Sequence, residues 1–144
     1  LQSLAAENDW DVVRFVHHRR VRRRLVRNLV ERRQLFATYF GPTGSAAGYV
    51  VRRDAARRLA DALLPMRLPY DVALERGWAL GLRTLDIWPD LVRFGTLSKT
   101  SLTRESRAYG AMKLPMWRRL PTLLFRTGDL VKRISRTARL RGPE

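Results

Sequence analysis

The chain has 144 residues, 45% of them hydrophobic, and a formal net charge of +16. This apolar content is sufficient for a buried core in one domain, which excludes a disordered tail. The absence of cysteine excludes a disulfide framework, a Cys-based zinc site and a thiol nucleophile.

Positive charge is concentrated towards the two ends of the chain. Residues 14–33 contain nine arginines and one acid, and residues 112–144 contain nine Lys or Arg and two acids. This distribution indicates an anionic partner, which could be a phosphorylated substrate, an anionic membrane surface or nucleic acid. Solvated basic faces that bind nothing would produce the same pattern.

The first forty residues predict two strands separated by a helix. Residues 10–16 are rich in Val and Phe, which is typical of a buried strand. Within residues 19–33, Val21, Leu25 and Leu29 recur every fourth position, which predicts an amphipathic helix. Residues 35–40 predict a second short strand.

A small-residue turn around Gly44 is followed by a predicted buried strand over residues 46–52. A helix is then predicted over residues 54–64. Asp54 is its expected cap, and Leu59 and Leu63 share its buried face.

A proline-bracketed loop leads to a second helix, predicted over residues 70–80 with Gly81 as its C-cap. Residues 82–88 predict a strand, and residues 95–103 predict a loop rich in Ser and Thr. Residues 117–139 predict one or two basic amphipathic helices with a break near Thr127 and Gly128. Alternating strands and helices indicate an α/β architecture.

One ordered series of short motifs resembles the late part of glycosyltransferase family 25. It comprises Tyr49-Val50-Val51-Arg52, then Ala55-Ala56 leading a helix, then Leu68-Pro69-Tyr70-Asp71. The family includes bacterial lipopolysaccharide glycosyltransferases and is similar to the collagen galactosyltransferases. The match covers about residues 10–102 in order and spacing, and it departs at Gly48 and at Arg53-Asp54. The resemblance implies the C-terminal half of a GT-A-like nucleotide-sugar transferase fold over residues 1–103. The residue pattern beyond this region predicts a basic amphipathic helical tail over residues 104–144.

Asp71 is the catalytic residue that the resemblance implies. Inverting glycosyl transfer needs a base that takes the proton from the acceptor hydroxyl. An Asp in the first turn of a helix is also favoured by free N–H groups and the macrodipole, so a plain capping role is the alternative.

Thr43, Gly44 and Tyr49 are the candidate substrate-binding residues. A small-residue turn lets backbone N–H groups approach a sugar or phosphate, and Tyr49 could stack on a sugar ring or base. A tight turn followed by a core tyrosine would have the same sequence.

The resemblance implies that Mn²⁺ is the cofactor of the intact enzyme. Family members hold the metal with an acidic Asp-x-Asp-like motif upstream of an Asp-Val-Val strand. Asp11-Val12-Val13 begins eleven residues into this chain, so the motif is expected before Leu1. We therefore expect this chain to bind no metal and to be inactive alone. The adjacent His17 and His18 would point to opposite faces of a strand, which disfavours a shared metal.

The implied function is transfer of a hexose, such as galactose, from a nucleotide sugar donor to a lipopolysaccharide or surface-glycan acceptor. The expected location is the cytoplasm or the inner-membrane surface, because the C-terminal bases with Leu, Phe125 and Trp117 are typical of an interfacial helix on anionic lipid. No nucleic-acid reading motif is found, so nucleic acid is not the expected partner. The alternative is a non-catalytic Arg-rich module that binds anionic membrane or nucleic acid.

Overall fold

The protein is built from five strands and four helical segments over the residues that the computed structural model describes, which are 4, 8–17, 19, 21–30, 32–41, 43, 44, 46–92 and 115–140. The strands are β1 (Val12–Arg14), β2 (Arg22–Asn28), β3 (Gln34–Phe40), β4 (Tyr49–Val51) and β5 (Thr84–Trp88). The helices are α1 (Arg53–Leu63), α2 (Tyr70–Glu75), a 3-10 helix (Gly77–Leu80) and α3 (Met116–Arg139).

The five strands form one mixed sheet in the order β2-β3-β5-β1-β4. β1 and β5 are parallel, and the other neighbouring strands are antiparallel. The protein is therefore of the predicted α/β class. The strands predicted within 10–16, 35–40, 46–52 and 82–88 are all present.

The segment predicted as a helix over residues 19–33 contains β2 instead, so that prediction is wrong. β2 and β3 form an antiparallel hairpin, and Arg32 in the turn has a φ of 59°. On the strand, the Arg23 guanidinium lies 4.0 Å from the centre of the Trp88 ring. Cation–π stacking and cross-strand pairing favour the strand, and the stacking joins residues that are distant in sequence.

The sheet separates two apolar clusters. Successive strand side chains point to opposite faces, so Val12 and Val13 belong to different clusters. The cluster containing Val13 also includes Leu4, Trp10, Leu35, Ala37, Leu85 and Ile87. The cluster containing Val12 lies under α1 and α2 and also includes Ala55, Leu59, Leu74 and Leu82.

α1 packs as its periodicity predicts, with Ala55 and Leu59 buried. The predicted cap is wrong. Arg52 occupies the N-cap position, and no side chain caps the helix. Asp54 lies instead within the first turn, where a carboxylate interacts favourably with the helix dipole.

The helix predicted over residues 70–80 divides into α2 and the 3-10 helix. Arg76 lies between them with φ −89° and ψ 31°, outside the α-helical range. Gly81 follows with a φ of 68°, a left-handed conformation that glycine adopts without strain, so the predicted C-cap is confirmed.

α3 is continuous over 24 residues, so the predicted break near Thr127 and Gly128 is wrong. The Thr127 hydroxyl donates to the Leu123 carbonyl oxygen at 3.0 Å, and a helical glycine costs only about 1 kcal/mol relative to alanine. No helix among the described residues has the length and apolar character needed to cross a bilayer. The predicted domain boundary near residue 103 and the predicted loop over 95–103 lie outside the described residues.

Candidate functional site

A cluster of buried polar side chains lies where β1, β3 and β5 meet the turn before β4 and the end of α2. We call it the buried polar cluster. Most of its charged and hydroxyl groups are almost fully removed from solvent, which requires that they pair with one another. Its members are Arg14, His17, Thr38, Thr43, Glu75, Asp86 and Asp90.

Arg14 and Asp86 form the centre of the buried polar cluster. They face each other across the parallel β1–β5 pair, with Arg14 Nη2 2.6 Å and Nε 2.7 Å from Asp86 Oδ1. The Thr38 hydroxyl donates to Asp86 Oδ2. Burial alone would raise the pKa of Asp86, but Arg14, His17 and Thr38 outweigh it and lower that pKa to about 2. Asp86 is therefore an anion at physiological pH.

Glu75 connects the cluster to the turn before β4. Glu75 Oε1 accepts hydrogen bonds from the Thr43 hydroxyl and from Gly44 N, the latter at 2.7 Å. Arg14 Nη1 lies 3.4 Å from the same oxygen. Gly44 has a φ of 68°, and this left-handed turn aims its N–H at the carboxylate.

His17 closes the other end of the cluster. Its Nδ1 lies 2.6 Å from Asp90 Oδ1, and its Nε2 lies 3.4 Å from Asp86 Oδ1. Burial works against a charged imidazole, but hydrogen bonds and charge from Asp86 and Asp90 outweigh it and raise the pKa of His17 above 6.5. Asp86 and Asp90 therefore favour the charged form of the His17 imidazole.

A cavity of about 800 Å³ adjoins Glu75 and Thr38 of the buried polar cluster. We call it the arginine cavity, because five guanidinium groups and only two carboxylates line it among the described residues. The arginines are Arg27, Arg83, Arg133, Arg136 and Arg139, and the acids are Asp9 and Glu75. This excess of positive charge favours an anionic ligand.

α3 forms one wall of the arginine cavity through its polar face. Asp129 pairs with Arg133 at 3.0 Å and with Arg76 at 2.9 Å, and Arg133 Nη1 donates to the Gly41 carbonyl at 2.7 Å. Arg136 Nη2 donates to the Leu82 carbonyl at 2.9 Å. Burial, and then the charge of Arg83, lowers the pKa of Arg136.

Two N–H groups of the cavity wall have no acceptor among the described residues. They are Trp78 Nε1 and Arg133 Nε, and both are buried. Buried donors in folded proteins normally find a partner. The wall therefore has spare hydrogen-bond donors in addition to its excess positive charge.

Two of the predicted substrate-binding residues, Thr43 and Gly44, belong to the buried polar cluster. Thr43 is fully buried and bonded to Arg14 and Glu75. Tyr49 is placed elsewhere, with its hydroxyl 2.6 Å from that of Tyr70. Burial, and then the bond to Tyr49, raises the pKa of Tyr70 to about 12, so Tyr70 stays protonated.

Asp71, the predicted catalytic residue, lies in the first turn of α2 and is half-buried. It has no hydrogen-bond or ion-pair partner among the described residues, and it does not line the arginine cavity. Glu75, one helical turn further along, is the α2 carboxylate that reaches both the cavity and the cluster.

Sequence reasoning missed Arg14, Glu75 and Asp86. A signal was present for two of them, because Arg14 and Asp86 each interrupt an otherwise apolar strand. Opposite charges within two buried strands indicate a buried ion pair when the strands are neighbours. Glu75 has no such signal, since a glutamate at a helix end is common on the surface.

Among the described residues, no three His, Asp or Glu side chains are grouped so that they could hold a metal ion. These described residues therefore do not fit a Mn²⁺ site. Comparisons of the chain with protein-family models, curated proteins and solved structures give no match.

Proposed function

We propose that this chain is part of a glycosyltransferase, and that the arginine cavity binds the phosphate groups of its glycan substrate. The observation that carries the proposal is the lining of five guanidinium groups beside a held carboxylate, Glu75. The resemblance of the 49–71 segment to glycosyltransferase family 25 adds the reaction class, with a nucleotide-sugar donor and a GT-A-like fold.

The size and charge of the cavity support a phosphorylated sugar as ligand. A volume of about 800 Å³ lies within the range of small-molecule sites and suits a sugar with attached phosphate groups. Guanidinium groups bind phosphate in a bidentate manner. The phosphate could belong to the acceptor glycan or to the nucleotide donor.

Two carboxylates on α2 are available for the chemistry. Asp71 is the base that the resemblance implies, and Glu75 is held in place by Thr43, Gly44 and Arg14. A base must reach the acceptor hydroxyl directly or through one water. Because Asp71 does not line the arginine cavity, we propose it as the base for an acceptor hydroxyl that lies outside the cavity, and Glu75 as the group that keeps Arg14 and the turn in position beside the cavity.

Calorimetric titration tests the cavity with four ligands: inorganic pyrophosphate, UDP, UDP-galactose and a phosphorylated lipopolysaccharide core oligosaccharide. We expect the core oligosaccharide to bind at least about tenfold more tightly than pyrophosphate, because sugar contacts add to the phosphate contacts. If UDP-galactose bound more tightly than the core oligosaccharide, the cavity would be the site for the nucleotide-sugar donor and not for the acceptor. No preference for either sugar over pyrophosphate would contradict a glycan site.

A matched pair of variants controls for overall charge. Arg83→Gln with Arg139→Gln removes two cavity arginines, whereas Arg53→Gln with Arg57→Gln removes two exposed arginines of α1. We expect only the first pair to weaken binding, by about tenfold or more. Equal weakening by both pairs, with steep salt dependence and equal affinity for duplex DNA, would support the non-catalytic module instead.

The expectation that this chain is inactive alone is tested by transfer of galactose from UDP-galactose to the core acceptor in the presence of Mn²⁺. We expect the purified chain to transfer no faster than Asp71→Ala. Transfer that exceeds the Asp71→Ala rate would support Asp71 as the base and contradict the expectation that the chain is inactive alone.

A further inference from the structure

The outer side of α3 carries an apolar stripe, which is turned away from the sheet. Positions in an α-helix advance by about 100° per residue, so these side chains span roughly 120° of the circumference. All of them are exposed, from 37% at Leu123 to 73% at Leu124. The apolar stripe consists of Trp117, Leu120, Leu123, Leu124, Val131 and Ile134.

The orientation of α3 is opposite to that expected for an amphipathic helix on a protein core. Its ion pairs and Thr137 face the sheet, and its large apolar side chains face outward. Amphipathic helices normally bury the apolar face because each removed Å² of apolar surface is worth about 25 cal/mol. An exposed apolar stripe of this kind indicates an interaction surface.

We propose that the apolar stripe of α3 inserts into the surface of a membrane that contains anionic lipid. The charges that border the stripe identify this occupant. By helical position, Arg119 and Arg126 follow one edge, and Lys132 follows the other. The one acid of α3, Asp129, is paired with Arg76 and Arg133 on the inner side.

Basic borders around an apolar stripe match a lipid surface better than a second copy of the chain. Two such stripes packed against each other would bring arginine borders together, and like charges at close range repel. An anionic bilayer offers acyl chains to the stripe and phosphate groups to both borders. Trp117, at the start of α3, is of the residue type that favours the headgroup level.

Vesicle flotation of the full chain tests the proposal, with phosphatidylcholine–phosphatidylglycerol mixtures compared with pure phosphatidylcholine. We expect flotation with the mixture, at least about tenfold weaker binding to pure phosphatidylcholine, and weaker binding as salt rises. Equal binding to both vesicles, or none to either, would overturn the proposal.

Two double variants separate the stripe from general surface hydrophobicity. Leu120→Ser with Leu124→Ser changes side chains that are 55% and 73% exposed on α3. Leu64→Ser with Met66→Ser changes side chains that are 73% and 57% exposed in the loop after α1. We expect the first pair to lower vesicle binding about tenfold or more and the second pair to leave it unchanged. If the two double variants bound vesicles equally well, the apolar stripe would not be the membrane contact.

Light scattering of the lipid-free chain distinguishes self-association. We expect a monomer whose mass does not change in Leu120→Ser with Leu124→Ser. A dimer that this variant dissociates would show that a second copy covers the stripe, and it would overturn the lipid proposal. None of these outcomes depends on sugar binding, so the two proposals can fail independently.

Discussion

α1 and α3 use amphipathic sequences in opposite ways. α1 buries Ala55 and Leu59 against the sheet and exposes its charges, whereas α3 turns Asp129 and Arg133 inward and exposes its leucines. The interface under α1 is therefore apolar, and the interface under α3 is polar and continuous with the buried polar cluster through Glu75. Periodicity identifies the two faces of a helix, but the partner determines which face is covered.

The largest effect is expected from breaking the polar side of this comparison at Arg14. Arg14→Met leaves Asp86 and Glu75 buried without their common cation, which should lower the free energy of unfolding by about 3–5 kcal/mol. Urea denaturation measures the loss. Arg58→Met is the control, because its pair with Asp11 is exposed and should contribute less than about 1 kcal/mol. Equal losses of unfolding free energy in the two variants would mean that the buried polar cluster contributes no more to stability than an exposed ion pair.

The apolar side is tested by shortening one leucine in each helix. Leu59→Ala removes a side chain that is 6% exposed under α1, and it should cost about 2–4 kcal/mol because a cavity remains. Leu124→Ala removes one that is 73% exposed on α3, and it should change stability by less than about 0.5 kcal/mol. Thermal denaturation of the two variants provides the measurement. A loss above 1 kcal/mol for Leu124→Ala would mean that the stripe is covered in solution.

The smallest of the three effects is a dependence of stability on pH that only the polar side should produce. The pKa of Asp86 is about 2 when folded against 3.8 ordinarily, so its contribution is present above pH 3.8 and lost as pH falls towards 2. That loss should amount to about 2 kcal/mol. The pKa of His17 is raised from 6.5, so its contribution is present below pH 6.5 and lost as pH rises through the folded value.

Urea midpoints measured across pH test both limbs of this profile. Asp86→Asn should remove the acid limb and His17→Gln the alkaline limb, whereas Leu59→Ala should lower the whole curve without changing its shape. A profile for His17→Gln that still falls above pH 6.5 would assign the alkaline limb to another group.

Much of the fold could be predicted from local pattern. Four strands and α1 lie where apolar runs or helical periodicity place them, and Gly81 ends its helical segment as expected. β2 could not be predicted in this way, because the spacing of Val21, Leu25 and Leu29 fits a helix as well as a strand. Stacking of Arg23 on Trp88, which favours the strand, joins residues 65 positions apart.

The candidate site was predicted only in part. Thr43 and Gly44 lie in the buried polar cluster, but Tyr49 pairs with Tyr70, and Asp71 is separate from the arginine cavity. Glu75 and the arginines of α3 converge on that cavity from segments that are far apart in the sequence. The sequence shows the arginines of α3 as a basic C-terminal run, but it does not show that they share one cavity with Glu75.

The sequence by itself determined the α/β class, the positive charge and the presence of amphipathic helices, because composition and short-range periodicity encode these properties. The tertiary structure decided which arginines share one cavity, which carboxylates are buried with Arg14, and which face of α3 remains exposed. These three properties depend on contacts between segments that are distant in the sequence. Buried charges in such contacts must be paired, and only some of the apolar side chains can pack against the one sheet.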